Sequence, residues 1–235
     1  AFPPAAGAAE RRAATIADLY RVKGVAEPAI APDGRSVAFS LTTTDLPAVK
    51  RQTNLWRVDA GGKNARALTT SDKRDASPAF SPDGTVLAFL STRGGEPQVY
   101  FLPVAGGEAE KKTDVPGGVG AFLFTPDGKR LVLTAEVWPE CGADAACNRK
   151  HDEAMEKGKM KAAVADGLLF RHWDAWEDGK RTHLLLQDLA DAVRAFLVAG
   201  AIRLNRSGRP GPASALAEQF DTKEDALANA AAPHS

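Results

Sequence analysis

An excess of charge is the first thing missing. Thirty basic and 30 acidic residues cancel among 235, so no bulk field draws the chain to nucleic acid or to an anionic membrane. No apolar run approaches the ~18 residues of a transmembrane helix, so no membrane span is expected. Methionine is absent from the first position, where alanine stands; the expectation is a mature form after signal-peptide cleavage, secreted or periplasmic. Cysteine is scarce. Cys141 and Cys147 are the only two, and their separation suits a small local disulfide of an oxidising compartment. A metal site of Cys141, Cys147 and His151 ranks below it, because no fourth ligand stands at a recognisable spacing; two unpaired thiols are the remaining alternative.

What is present is a repeat. Ser81-Pro82-Asp83-Gly84 has the chemistry of a tight turn: Pro82 presets φ, Asp83 folds its carboxylate onto backbone N–H groups, and Gly84 accepts a left-handed conformation. The signal recurs as Ala31-Pro32-Asp33-Gly34 and Thr125-Pro126-Asp127-Gly128, each between a short apolar run and a β-rich one. Asp33, Asp83 and Asp127 stand 50 and then 44 residues apart, close to the ~40–50 residue period of propeller blades. A single such sheet cannot bury both faces, so the repeat implies sheets stacked on sheets. Calcium at these aspartates is the weaker reading, because the turn already requires each of them.

Along the chain, residues 1–14 read as a flexible leader rich in Ala and Pro. Thr15 and Asp18 have helix-capping spacing, so a short helix is expected to pack Ile16, Leu19 and Val22 against the sheets. Blades are expected over about 25–70, 77–113 and 119–191. The first holds a polar excursion at 42–53, and the third is interrupted by an insertion over about 136–166. The lysine-rich stretch 150–161 of that insertion reads as a solvated, helical face. After Asp191 the character changes: 12 of the last 44 residues are alanine, and the tail 192–235 is expected to be irregular or helical. Leu185, Leu189, Val193, Phe196 and Leu197 have the spacing of one helical face, Thr222 and Asp225 that of a cap, and 207–212 reads as a loop.

The three Pro-Asp-Gly repeats resemble the blades of TolB-like and prolyl-oligopeptidase-type propellers. Cys141, Asp144 and Cys147 in the insertion, followed by Arg171-His172-Trp173-Asp174 and the run from Trp176 to Leu184, narrow the resemblance. They resemble secreted bacterial serine peptidases of the prolyl oligopeptidase family, of acylaminoacyl-peptidase or dipeptidyl-peptidase type. The resemblance covers about 15–191. It implies an all-β partial propeller of about three four-stranded antiparallel blades that would cap an α/β-hydrolase domain. The family's serine would sit in Gly-x-Ser-x-Gly, which this sequence lacks; Arg206-Ser207-Gly208 is its nearest approach. No two glutamates are adjacent, so the paired glutamates by which some dipeptidyl peptidases hold a substrate amine have no counterpart. No catalytic residue carries over, and the reading calls for no cofactor and no metal.

Arg171, His172, Trp173, Asp174, Trp176 and Asp178 form the most tempting cluster. They would line the channel or the face towards a hydrolase, but blade packing by the tryptophans and satisfied turns by the charged groups are the preferred reading. Nothing nominates His172 or His183 as a base. The partner is then a peptide substrate, reached through a hydrolase domain outside this sequence. The rival is a TolB-like scaffold for a protein partner; a third reading makes the tail the product of a shifted reading frame or truncated gene. An open propeller leaves unpaired strand edges and an apolar flank.

Overall fold

The computed structural model describes residues 12–158, 171–172, 175–176, 179–189 and 195–197. The expected stack of sheets is there: among the described residues three four-stranded antiparallel sheets follow one another along the chain. The first holds β1 (Gly24–Ile30), β2 (Ser36–Asp45), β3 (Lys50–Asp59) and β4 (Arg66–Ala67); the second holds β5 (Asp75–Phe80), β6 (Val86–Ser91), β7 (Gln98–Pro103) and β8 (Glu110–Lys111). The third comprises β9 (Ala121–Phe124), β10 (Arg130–Val137), β13 (Arg181–Asp188) and β14 (Ala195–Leu197). Between β10 and β13 lie helix α2 (Ala145–Lys157) and a separate pair, β11 (Arg171–His172) with β12 (Ala175–Trp176).

Each Pro-Asp-Gly turn joins the first two strands of a sheet. The Gly34, Gly84 and Gly128 N–H groups donate to the carbonyls of Ala31, Ser81 and Thr125 at 2.8–2.9 Å, and the three glycines have φ of 69–71°. Asp33, Asp83 and Asp127 each accept the N–H two residues on at 2.9–3.0 Å. The turns also nest. A Cβ built on Gly84 would lie 3.6 Å from Pro32, and one on Gly128 would lie 3.4 Å from Pro82. Proline and glycine thus shape a turn and seat it on the turn of the preceding sheet.

The second sheet is buried on both faces, which explains its near-continuous apolar strands. Leu87, Phe89, Tyr100 and Leu102 pack on Ala38 and Leu55 of the first sheet. The alternate residues Ala88 and Val99 pack on Leu131, Leu133, Ala135 and Leu185 of the third. On the first sheet the opposite face is open: Val37 pairs with Val58 and Phe39 with Trp56, all half-buried, beside Ile30 at 70% exposure.

A polar clasp closes the first two sheets at the same register. Thr69 Oγ1 accepts from the Leu55 N–H at 3.0 Å and Thr113 Oγ1 from the Val99 N–H at 2.9 Å. Each hydroxyl donates to the side-chain amide one residue earlier on the third strand, Asn54 or Gln98. At the start of β5, Asp75 is fully buried; it accepts Ser91 Oγ at 2.6 Å and Arg93 Nη2 at 2.7 Å. The Arg93 guanidinium lies over the Phe89 and Tyr100 rings at 5.4 and 5.5 Å.

Three expectations change. Helix α1 (Ile16–Arg21) forms, with Asp18 accepting from the Thr15 N–H and hydroxyl at 2.8 Å. It does not bury its apolar residues, however: Ile16, Leu19 and Val22 are 70–75% exposed. A six-residue helix with charges on two sides has too little apolar surface to compete with the sheets. The polar excursion at 42–53 is instead an extension of the β2–β3 hairpin, with Thr42 opposite Thr53 and Asp45 opposite Lys50, because β-branched threonine suits a half-exposed strand. The helical face drawn through Leu185 and Leu197 is an antiparallel pairing: Leu185 sits opposite Leu197 and Leu186 opposite Phe196. A short apolar run fits either period, and the open edge of β13 decided it. Part of the stretch after Asp191 is therefore strand; Val193, Thr222, Asp225 and 207–212 lie outside the described residues.

Asp75→Ala leaves Ser91, and the Arg93 guanidinium that lies over two aromatic rings, without their acceptor. We expect a loss of about 3 kcal/mol in urea unfolding, the low end for a broken buried pair because Arg93 is 30% exposed.

Candidate functional site

Two polar constructions rise above ordinary strand pairing. The first joins the opening strands of the first two sheets. Ala26-Glu27-Pro28-Ala29 in β1 and Ala76-Ser77-Pro78-Ala79 in β5 occupy the same place, and each carries a bulge between its alanines. Glu27 and Ser77 have φ of 54° and 53°, a left-handed conformation that costs a non-glycine residue roughly 1–2 kcal/mol. The strain aims Glu27 across the gap. Its carboxylate accepts the Ser77 N–H at 2.7 Å, the Ser77 hydroxyl at 3.0 Å and the Ser40 hydroxyl at 2.9 Å. Partial burial alone would raise the Glu27 carboxyl; the Ser77 N–H, the two hydroxyls and the Arg74 charge together hold it below its ordinary range. Pro28 and Pro78 donate no hydrogen bond, which suits strands with one unpaired edge.

The second is the insertion of the third sheet. Cys141 and Cys147 are joined by a disulfide with Cα atoms 5.4 Å apart. Asp144 caps α2, accepting from the Ala146 and Cys147 N–H groups at 2.9 and 3.0 Å. The buried Asn148 accepts the Trp138 N–H at 2.9 Å and donates to the carbonyls of Gly142 and Asp144. Trp138 is the hub. Its indole N–H donates to Asp152 at 3.0 Å, Lys180 reaches the same carboxylate at 2.6 Å, and the His151 ring lies 5.4 Å away. Gly179, at φ 96°, lies against the indole so closely that a Cβ would stand 3.1 Å from it. Burial would raise the Asp152 carboxyl, but the Lys180 ammonium and the Trp138 N–H outweigh it and hold the group below the usual carboxylate range.

Of the cluster singled out in the sequence, Arg171 pairs with Trp176 across β11–β12, where His172 also lies, opposite Ala175. Trp173, Asp174 and Asp178 lie outside the described residues. His183 is on β13 with Nδ1 3.1 Å from the Arg181 carbonyl. Asp83 is held by its turn: the Ser81 hydroxyl and the Thr85 N–H and hydroxyl lower its carboxyl. Asp127 is lowered in the same way by Thr125 and the Lys129 N–H. An open cleft of about 460 Å³ separates the outer parts of the first two sheets, and Arg93 on its wall is already bound to Asp75. Sequence reasoning missed Glu27 and Ser77; the repeated Ala-x-Pro-Ala at a 50-residue spacing was the available signal.

A profile of the TolB beta propeller domain matches residues 10–137. The chain belongs to the TolB β-propeller family. Its sheets are blades of that fold, and the insertion belongs to the third. It is 29% identical over 147 residues to dipeptidyl-peptidase 5 of Porphyromonas endodontalis, covering 63% of this chain and 20% of that protein. It is also 34% identical over 124 residues to the uncharacterized peptidase YuxL of Bacillus subtilis, covering 52% and 19%. The chain thus spans about a fifth of the length of these curated relatives. The acylaminoacyl peptidase of Pyrococcus horikoshii superposes with a TM-score of 0.56 at 14% identity, covering 77% of this chain and 26% of that one; this likeness concerns the fold alone. No helix among the described residues is long and apolar enough to cross a membrane.

Glu27→Ala removes a charged acceptor while Ser77 keeps its strained backbone. We expect a loss of about 1 kcal/mol at neutral pH, since the site is partly solvated. The folded carboxyl lies below its ordinary 4.5, so this contribution is full above about pH 5 and is lost as the pH falls through the lower folded value. Urea titrations of the wild type and the variant should therefore converge on acidification; a constant difference would show that the carboxylate is not the latch.

Proposed function

We propose that this chain is the substrate-gating, non-catalytic propeller portion of a serine peptidase of the prolyl oligopeptidase family, acting on peptides outside the cytoplasm. The observation that carries the reading is the match of its stacked blades to the TolB propeller, in a chain whose curated relatives are named peptidases and extend far beyond the matched part. Blades locked to one another by apolar faces and by the Glu27 latch form a stiff wall. Such a wall excludes bulky chains from a neighbouring active site by size and holds that site's domain in place. Gating of this kind needs rigidity, not a nucleophile, and Glu27, Asp144, Asn148 and Asp152 are all engaged in hydrogen bonds within the two polar constructions. The Val37, Phe39, Trp56 and Val58 face supports a second reading, a scaffold that stacks a protein partner or its own copy on the first blade.

Purified chain should release no product from aminoacyl or dipeptidyl reporter amides and should take no label from a fluorophosphonate. Strong labelling of one serine would overturn the non-catalytic assignment. Size-exclusion chromatography with light scattering separates the two readings: a discrete oligomer supports the scaffold, and a monomer or progressive aggregation supports the peptidase portion.

A further inference from the structure

We propose that reduction of the Cys141–Cys147 disulfide converts the insertion into a site for zinc or a similar borderline divalent cation, with Cys141, Cys147 and His151 as ligands. One donor atom from each of the three lies within 4.8 Å of the other two. Tetrahedral zinc, with bonds of ~2.0–2.3 Å, sets its ligands about 3.3–3.8 Å apart, so opening the S–S bond requires only a small rearrangement. Cys147 and His151 are four residues apart on α2 and share one helical face.

The rest of the insertion holds these ligands without the disulfide. The Cys141 and Gly142 N–H groups donate to the Trp138 carbonyl at 2.9 and 3.0 Å. Asp144 caps the helix from its side chain, and Asn148 ties the loop to β10's continuation at Trp138. Trp138 lies beside the His151 ring. Glu140 Oε1 is 3.5 Å from His151 Nδ1, which places beside the imidazole a carboxylate of the kind that orients ligating histidines. The sequence offered no fourth ligand by spacing, and none is required: His151 is 42% exposed, so the fourth position opens to water.

The chemistry balances. A phosphine supplies two electrons and leaves as its oxide, the water that gives it oxygen supplies both protons, and the S–S bond becomes two thiols. Binding of the dication releases both thiol protons, leaving two thiolates, one neutral imidazole and no net charge at the centre. Disulfide and metal exclude each other, so occupancy reports the redox state of the insertion.

The test uses the full chain, reduced with a phosphine, with cobalt(II) as a spectroscopic stand-in and zinc as competitor. The expected result is one cobalt per chain with a near-ultraviolet thiolate charge-transfer band that zinc abolishes, and no such band from the oxidised chain. His151→Ala should weaken binding tenfold or more, and Glu140→Gln by about tenfold. Zinc should also slow iodoacetamide alkylation of both cysteines, read by mass spectrometry, and a chelator should restore it. A reduced chain that shows no thiolate band overturns the proposal. So do alkylation rates indifferent to zinc, His151→Ala binding as tightly as wild type, or an oxidised chain that binds equally well. Loss of the strand signal in circular dichroism on reduction also overturns it, because the ligands must be held by hydrogen bonds once the disulfide is gone.

Discussion

Burial of both faces of the second blade is the constraint on which the rest depends. A four-stranded sheet exposes an apolar surface on each side, and Leu87 with Phe89 on one face and Ala88 with Val99 on the other leave neither face to water. Adjacent residues of one strand thus belong to different cores. The blade behaves as a shared wall, so a defect in it weakens two interfaces together, as expected for stacked repeats held by nearest-neighbour contacts. The first blade has such support on one side only, and its Val37, Phe39, Trp56 and Val58 face remains half-exposed.

Stacked sheets can slide, because apolar packing has no direction. The polar constructions supply the missing register. Nested Pro-Asp-Gly turns seat Gly84 on Pro32 and Gly128 on Pro82. Glu27 crosses from one opening strand to the next, while the Thr69 and Thr113 clasps act within their own sheets, tying the end of each blade to its third strand. Each spends local strain or side-chain entropy to fix one position. Together they suit a propeller proposed to act by shape and stiffness.

The insertion follows a different logic. Its described residues add little beyond Val137, Cys141 and Ala143 to the apolar core, and they are organised by a capped helix, a disulfide, and an indole whose N–H, ring face and backbone are all engaged. The redox-linked metal site requires these hydrogen bonds to hold the insertion once the cysteine pair is opened.

Much of this was readable in the residues. The Pro-Asp-Gly spacing announced the repeat because proline, aspartate and glycine act on φ and on the next N–H, which needs no knowledge of the rest of the chain. The capping pair Thr15 and Asp18 was legible for the same reason. What depended on distant partners was not. Whether Ile16 and Leu19 are buried, whether 42–53 loops out or extends a hairpin, and whether Leu197 joins a helix or pairs with Leu185 were decided by which surfaces and edges the other elements left open. Glu27 was unremarkable until Ser77, 50 residues on, came within 3 Å of it. The sequence alone determined the turns and the repeat, because those are set by local sterics and hydrogen bonding. Only the tertiary structure decided the register and the latch, because each requires groups remote in the chain to share one small volume; Cys141, Cys147 and His151 stand near one another in the chain and were already grouped in the sequence.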